Sequence, residues 1–196
     1  SGAAFTLNIV DDAAAIKTAI SGAGDALAAL QNADNVKAVD ASVDDAVAVA
    51  DPSSFSNTFG DLVDMVSLAG QPANAVYTIE QYLAGKNPAI VENPLALASS
   101  VEGDIANVTN AAADLAGANV HANDVTTLAQ ILSIGSGSIG ISNISWDAKV
   151  VDGVFDTGLA GQLQDISPSD YVIVTTVPAV PEGNNSAVLA EVTVRG

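Results

Sequence analysis

Part of the sequence recurs at an interval of 84 residues, and recurrence restricts the fold to architectures that place equivalent units side by side. Six of the fifteen positions from Ala26 to Asp40 carry the same residue 84 positions later. The clearest correspondence joins Asn-Val-Lys-Ala-Val-Asp at 35–40 with Asn-Val-His-Ala-Asn-Asp at 119–124. We therefore predict two repeat units, at about 5–40 and 77–124, each with a short strand, an Ala-rich helix and the Asn-Val motif. Chance similarity in an Ala-rich chain is the alternative.

Apolar residues spaced by three and four predict helices through the first two thirds of the chain. Gly22 and Gly24 are expected to interrupt the first helix, and the run from Val36 to Val39 favours a short strand. The predicted helices cover 11–30, 44–50, 56–68, 95–116 and 126–134.

The pattern changes after Gly135. Residues 139–146 alternate between apolar and polar side chains, and 171–177 and 187–194 are rich in β-branched residues. Both patterns favour strands. The segment between the last two contains the turn-forming residues of a hairpin connection, Pro178, Pro181 and Gly183.

The predicted fold class is therefore α+β, with an Ala-rich helical part with short strands followed by a β-rich C-terminal part. The helix-rich part covers 1–134 and the β-rich part covers 135–196. A chain of 196 residues accommodates them either as one domain or as two small ones.

The charge balance excludes several classes of partner. Five Lys and Arg residues stand against 23 Asp and Glu, so the formal net charge is −18. So few basic side chains cannot displace the counterions of a phosphate backbone, and we predict no nucleic-acid partner. Because 49% of the residues are hydrophobic and only 14% are charged, the composition is not that of a disordered chain. No apolar run approaches the ~18 residues of a membrane span.

The absence of cysteine indicates the compartment. It is typical of cytosolic proteins and of exported bacterial or archaeal proteins, because secreted eukaryotic domains often carry disulfides. The sequence opens at Ser1 without an initiator Met. We therefore expect a chain that is processed after export or belongs to a longer chain, with an extracellular or cell-surface location.

One stretch resembles the repeats of very large secreted bacterial surface proteins, the S-layer proteins and RTX-type adhesins. Residues 5–16 read Phe-Thr-Leu-Asn-Ile-Val-Asp-Asp-Ala-Ala-Ala-Ile and are followed by the motif at 35–40. Repeats of that family similarly open with an aromatic–Thr–aliphatic strand and an Asp-x-Ala-x-x-Ile helix start. The resemblance covers about 5–40, and more loosely 77–124, and implies an exported surface or scaffold role without enzyme activity. The family's calcium-binding Gly-Gly-x-Gly-x-Asp nonapeptides are missing here, so calcium is not carried over from it.

Acidic residues after the first Asn-Val motif are candidate metal ligands. Asp40, Ser42 and Asp44 occupy the first three ligand spacings of a calcium loop. The sixth position holds Asp45 in place of Gly and the bidentate Glu is missing, so an EF-hand is not expected. A looser oxygen site for Ca²⁺, built from Asp40, Asp44 or Asp45, remains open because hard cations favour clustered carboxylates. The alternative is a solvated turn with helix-capping Asp residues.

Two further patterns favour structural interpretations. The segment from Gly135 to Gly140 fits G-x-G-x-x-G, which in a dinucleotide site follows a strand and opens a helix. Here a predicted helix precedes it and a predicted strand follows, so we expect a helix-to-strand connection. His121 is the only histidine, and a zinc site would need three or four N or S ligands. Its counterpart in the repeat is Lys37, which predicts a surface position on a short strand.

These observations predict a structural module of an exported prokaryotic surface assembly, such as an S-layer, an extracellular filament or a large adhesin. Its expected partners are copies of itself or neighbouring modules, and the apolar segments 4–10 and 188–194 either pair internally or add to the edge of another subunit. The alternative is an extracellular module that binds calcium or a glycan. A carboxylate-only hydrolase is third, since one His, one Arg and no Cys leave few groups for other catalysis.

Overall fold

A computed structural model describes residues 5–51, 59–125, 128–146, 171–176 and 189–194. The chain divides into two compact units, Ser1–Ser99 and Ser100–Gly196. The division into a helix-rich and a β-rich part at residue 134 stays a prediction.

The first unit alternates strands and helices. Strands β1, β2 and β3 form a parallel sheet in that order, and helices connect them, as parallel strands require. The elements of this unit are β1 (Asn8–Asp12), α1 (Ala13–Ser21), α2 (Asp25–Gln31), β2 (Asn35–Ala41), α3 (Val43–Ala50), a 3-10 turn (Gly60–Leu62), β3 (Met65–Leu68), β4 (Val76–Thr78) and α4 (Ile79–Gly85).

Polar residues at the strand ends begin the helices that follow. The Oδ1 atom of Asp12 accepts the backbone N–H of Ala14 at 2.8 Å and so caps α1. Helices α3 and α4 begin with capping boxes, in which a side chain and a backbone N–H bond reciprocally across three residues. These boxes are formed by Ser42 with Asp45 and by Thr78 with Gln81.

Strand β2 contains a β-bulge that decides which residues enter the core. Ala38 lies opposite Val66 and Ala41 lies opposite Leu68, so two residues of β2 face one residue of β3. Asp40 occupies this bulge with a φ of 54°, a conformation that Asp tolerates better than most residues. The bulge keeps Asp40 exposed and brings Ala41 into the core, where regular alternation would have reversed the two.

The core of the first unit is rich in small side chains, which let helices lie close to the sheet. It joins buried residues of β2 and β3 to residues of α1, α2, α3 and α4. Its members are Ala13, Ile16, Leu30, Val36, Ala38, Ala41, Ala46, Val47, Ala48, Phe59, Val63, Val66, Leu68, Ala84 and Val91.

The second unit contains another parallel sheet and a strand pair. Strands β5, β6 and β7 are parallel and adjacent in that order, whereas β8 and β9 pair antiparallel. The elements of this unit are β5 (Ser100–Asp104), α5 (Ile105–Asn110), β6 (Asn119–Asn123), α6 (Leu128–Gly135), β7 (Asn143–Trp146), β8 (Tyr171–Thr176) and β9 (Leu189–Val194).

The predicted mixture of helices and strands is confirmed over the described residues. The pairings β1–β2, β2–β3, β5–β6 and β6–β7 are all parallel. Strands β7, β8 and β9 fall in the predicted β-rich part. Residues 147–170 and 177–188, which include the predicted hairpin connection, lie outside the described residues.

The two Asn-Val motifs have the same local structure. Both form strands, β2 and β6, and each reaches an Asp in the left-handed conformation, at a φ of 54° for Asp40 and 56° for Asp124. These are the two non-glycine residues with positive φ in the described ranges. The aromatic–Thr–aliphatic triplets differ, because Thr78 caps α4 whereas residues 5–7 precede β1. The repeat units at 5–40 and 77–124 stay a prediction.

Two predicted helices are wrong. Over the described part of 56–68 the chain forms the 3-10 turn and β3, and over 95–116 it forms β5 followed by the short helix α5. In β3 the buried residues are Val66 and Leu68, whose spacing of two belongs to a strand. In β5 a single aliphatic residue, Val101, is buried, so pairing with β6 rather than a local pattern makes this segment a strand.

Candidate functional site

The three carboxylates that the sequence predicts as metal ligands lie near one another in the chain but contact different partners. Asp40 is exposed at the bulge of β2. The Oδ1 atom of Asp44 accepts a hydrogen bond from Nε2 of Gln81 at 2.7 Å. Asp45 is only 5% exposed and forms an ion pair with Lys17. Over the residues that the structure describes, no group of three or more His, Asp or Glu is arranged to hold a metal. The calcium site stays a prediction.

Asp45 joins α1 to the start of α3. Its Oδ2 atom accepts the backbone N–H of Ser42 at 2.8 Å while its Oδ1 atom contacts Nζ of Lys17. The same ammonium lies 5.4 Å from the centroid of the Phe59 ring, within the range of a cation–π contact. A buried carboxylate needs such partners to offset the loss of hydration. These are the contacts of a helix-capping residue that also anchors a neighbouring helix.

A row of three polar side chains crosses the second sheet. The parallel register places Glu102 opposite His121 and His121 opposite Ser145. The Nδ1 atom of His121 lies 3.1 Å from Oγ of Ser145, and that hydroxyl donates to the backbone oxygen of Val120 at 3.2 Å. Which atom donates between His121 and Ser145 depends on the tautomer of the ring, and in either case Ser145 contacts two residues of β6. The row therefore ties β7 to β6.

The sequence predicted a surface position for His121 on a short strand. In the structure His121 lies on β6 and is half-buried. The sequence did not predict that Glu102 and Ser145 lie beside it, because only the register between strands brings them together. The glycines at 135–140 connect α6 to β7 as expected. Gly137 and Gly140 adopt positive φ, at 69° and 78°.

Tyr82 closes a loop in the first unit. It is fully buried on α4, and its hydroxyl donates to the backbone oxygen of Leu97 at 2.9 Å. Burial raises the pKa of this hydroxyl, and it also raises the pKa of Tyr77. This hydrogen bond joins α4 to Leu97, twelve residues beyond the end of the helix at Gly85.

That loop contains residues 90–93, which cover the β3 edge of the first sheet and are called the covering segment. Val91 forms a parallel bridge with Val66. The N–H of Val66 donates to the oxygen of Ile90 at 2.8 Å, and the N–H of Glu92 donates to the oxygen of Val66 at 3.0 Å. The covering segment thus supplies the hydrogen bonds of a further strand.

Side chains extend this cover beyond the backbone bridge. The Oδ1 atom of Asn93 accepts the N–H of Leu68 at 2.7 Å, and its Nδ2 atom donates to the oxygen of Leu68 at 3.0 Å. The amide side chain therefore pairs with β3 as a backbone peptide would. An ion pair between Glu92 and Lys37 connects the covering segment to β2.

The opposite edge of the same sheet, formed by β1, has no such covering segment among the described residues. Among the described strands, β1 pairs with β2 alone. Phe5, Leu7 and Val10 are 93%, 46% and 62% exposed, so this edge presents apolar side chains. Exposed edges of sheets are templates for a further strand. This edge is the candidate interaction site.

Asparagines at the start of the strands set the register at this edge. Asn8 lies opposite Asn35, and its Oδ1 atom accepts from Nδ2 of Asn35 at 2.8 Å. Asn119 lies opposite Asn143 in the second sheet. The signal in the sequence is an Asn followed by Ile or Val at the first two positions of β1, β2, β6 and β7.

Comparison with protein-family models, with curated protein sequences and with solved structures finds no match to this chain. Among the helices that the structure describes, none has both the length and the apolar character needed to cross a membrane.

Proposed function

We propose that this chain is a structural module of an exported prokaryotic surface assembly, such as an S-layer, an extracellular filament or a large adhesin, and that it acts through contacts between subunits. The observation that carries the proposal is the β1 edge, which is parallel, apolar and paired on one side among the described strands. The proposal includes a β-rich C-terminal part over 135–196 and a location at the cell surface.

The alternation of strand, capping residue and helix supports this function. Such units bury a continuous core by stacking on their neighbours, and a unit at the end of a stack leaves an edge that accepts another. In the first unit the covering segment finishes one edge with backbone and side-chain hydrogen bonds. The β1 edge has the register-setting asparagine but no equivalent cover among the described residues.

The distribution of charge along β1 supports an interaction at its first half. Natural edge strands are commonly protected by charged side chains. Asp11 and Asp12 stand at the carboxyl end of β1, while the residues from Asn8 to Val10 are uncharged. A net charge of −18 makes copies of the chain repel one another over longer distances. Assembly is therefore expected to need salt or divalent cations that screen this repulsion.

Light scattering and negative-stain microscopy at low and high salt, with and without Ca²⁺, test the proposal. We expect particles larger than a monomer at high ionic strength. A strictly monomeric chain under all these conditions would overturn the proposal. If Ca²⁺ promotes assembly while Mg²⁺ at equal ionic strength does not, a specific calcium site is present in addition to screening.

Two variants test whether assembly depends on the β1 edge. Val10→Asp places a charge on the β1 edge and is expected to raise the concentration needed for assembly about tenfold, the effect of ~1.4 kcal/mol. Leu97→Asp is the matched control, because Leu97 is 66% exposed and Val10 is 62% exposed. The control should assemble as the unmodified chain does. Equal effects of the two substitutions would show that added charge, rather than the edge, controls assembly.

A further inference from the structure

The first strand of the first sheet and the last strand of the second parallel sheet begin in the same way. Strand β1 opens with Asn8-Ile9, and β7 opens with Asn143-Ile144. Each Asn lies opposite an Asn of the inner neighbouring strand, and each Ile lies opposite a Val. Each of these two sheets therefore ends on an outer strand that begins with Asn-Ile and pairs in the same register with an inner strand that begins with Asn-Val.

Burial shows that these outer strands are covered on one side only. The inner valines, Val36 and Val120, are each 2% exposed. Ile9 and Ile144 are only partly buried, although they belong to the same cross-strand rows. An apolar side chain in a parallel sheet is fully covered when it has a neighbour on both sides. Each isoleucine thus has room for one more neighbour.

We propose that β7 of one copy of this chain adds in parallel to β1 of a second copy, with Asn143 opposite Asn8 and Ile144 opposite Ile9. This inference rests on the proposed function and names the partner strand and its register. The Asn8–Asn35 pair is the interface that the addition would continue, because ladders of asparagine amides stabilise stacked parallel strands. Among the described strands, β7 pairs with β6 alone.

The chemistry of β7 fits the edge that it would meet. Its sequence is Asn-Ile-Ser-Trp, without a charge, so its approach adds no like charge to Asp11 and Asp12. Val10 would lie opposite Ser145. The contact joins two different surfaces of the chain, and a contact of that kind builds an open filament when its rotation does not close into a ring.

Cysteine pairs test the register, since the natural chain has no cysteine. Neighbouring strands lie about 4.8 Å apart, within the Cα separation that a disulfide spans. The double variant Val10→Cys/Ser145→Cys, which keeps both asparagines, is expected to give a ladder of covalent multimers after mild oxidation under assembling conditions. The control Val10→Cys/Asn143→Cys displaces one cysteine by two residues, which places the Cα atoms about 8 Å apart. Its cross-linking should be at least tenfold lower.

The outcomes separate this inference from the function on which it rests. A ladder confined to the first variant supports the proposed register. Equal ladders in both variants, or no ladder from chains that still scatter light as assemblies, overturn the register and leave the proposed function standing. Absence of assembly in both variants and in the unmodified chain overturns both proposals.

A second measurement needs no substitution. Trp146 is the only tryptophan and would lie opposite Asp11 of the second copy. Its fluorescence emission should shift when the chain assembles. Assembly with unchanged emission would overturn the contact at β7. Circular dichroism of each cysteine variant checks that the fold is retained, which is expected because Val10, Asn143 and Ser145 are exposed.

Discussion

The two edges of the first sheet are both formed by short parallel strands, but among the described residues only the β3 edge is covered by another segment of the chain. At the β3 edge, the covering segment supplies a backbone bridge and the Asn93 amide completes the pairing of Leu68. At the β1 edge, apolar side chains and an asparagine are exposed. Hydrogen bonds at the first edge therefore contribute to folding, whereas those available at the second can contribute to association.

Equivalent substitutions are therefore expected to have unequal consequences at the two edges. A change at the covered edge should lower the free energy of unfolding of the isolated chain. A change at the β1 edge should leave that free energy nearly unaltered and alter assembly instead. Matched pairs of substitutions, one at each edge, test this difference and measure its size.

The largest difference is expected between Val91→Ala and Val10→Ala. Val91 is 0% exposed and belongs to the core, so its truncation leaves a cavity and should lower the free energy of unfolding by about 2 kcal/mol. Val10 is 62% exposed, and its truncation should stay within about 0.5 kcal/mol. Urea denaturation at low salt measures both. Equal losses would mean that β1 is as much a part of the folded core as the covering segment.

A smaller difference is expected between Asn93→Ala and Asn8→Ala. Without the Asn93 amide, the N–H and oxygen of the buried residue Leu68 lose their partners, at a cost of about 1–2 kcal/mol. Asn8 makes one exposed amide bond, to Asn35, and its removal should cost at most about 0.5 kcal/mol. Thermal unfolding followed by circular dichroism gives the comparison. An Asn8→Ala variant that unfolds as readily as Asn93→Ala would contradict it.

The smallest expected effect concerns pH. Since burial raises the pKa of Tyr82 above its ordinary value of about 10, the folded chain keeps this proton to higher pH than the unfolded chain does. The resulting stability is complete below about pH 10 and is lost as pH rises above it. Tyr82→Phe should cost about 1 kcal/mol at pH 7, through the lost bond to Leu97, and should flatten the alkaline fall in stability.

Tyr77→Phe is the control for the loss of the hydrogen bond between Tyr82 and Leu97. Burial raises the pKa of Tyr77 as well, so this variant should also flatten the alkaline fall. Over the described residues Tyr77→Phe removes no bond like that between Tyr82 and Leu97, so stability at pH 7 should change little. A Tyr82→Phe variant as stable as the unmodified chain at pH 7 would show that this hydroxyl does not hold the loop around the covering segment. An unaltered alkaline profile in Tyr82→Phe would show that burial does not raise the pKa of this hydroxyl.

Local chemistry predicted much of the helical structure. The glycines at 22 and 24 separate α1 from α2, and the acidic segment at 44–50 forms most of α3. These elements were predictable because caps, breakers and apolar spacing act within a few residues. Strand β2 was predictable in the same way, from its run of β-branched residues and alanine.

Strands β3 and β5 could not be predicted, because their stability comes from neighbours that are distant in sequence. Val101 in β5 carries almost no pattern of its own, and the register with β6 makes it part of a sheet. The same limit applies to the candidate site. The Asn-Ile and Asn-Val dipeptides are visible in the sequence, but only the register shows that they form rows and that two rows end on an outer strand.

The bulge of β2 constrains which residue type can occupy position 40 more than it constrains the length of the segment. Loss of one residue between Ala38 and Ala41 would remove the bulge and leave a regular strand in which both alanines still face the core. Replacement of Asp40 by Asn or Gly would keep the count and suit the left-handed backbone. Among relatives of this protein, Asp40 should therefore be replaced by Asn or Gly more often than by a β-branched residue, which the left-handed backbone disfavours.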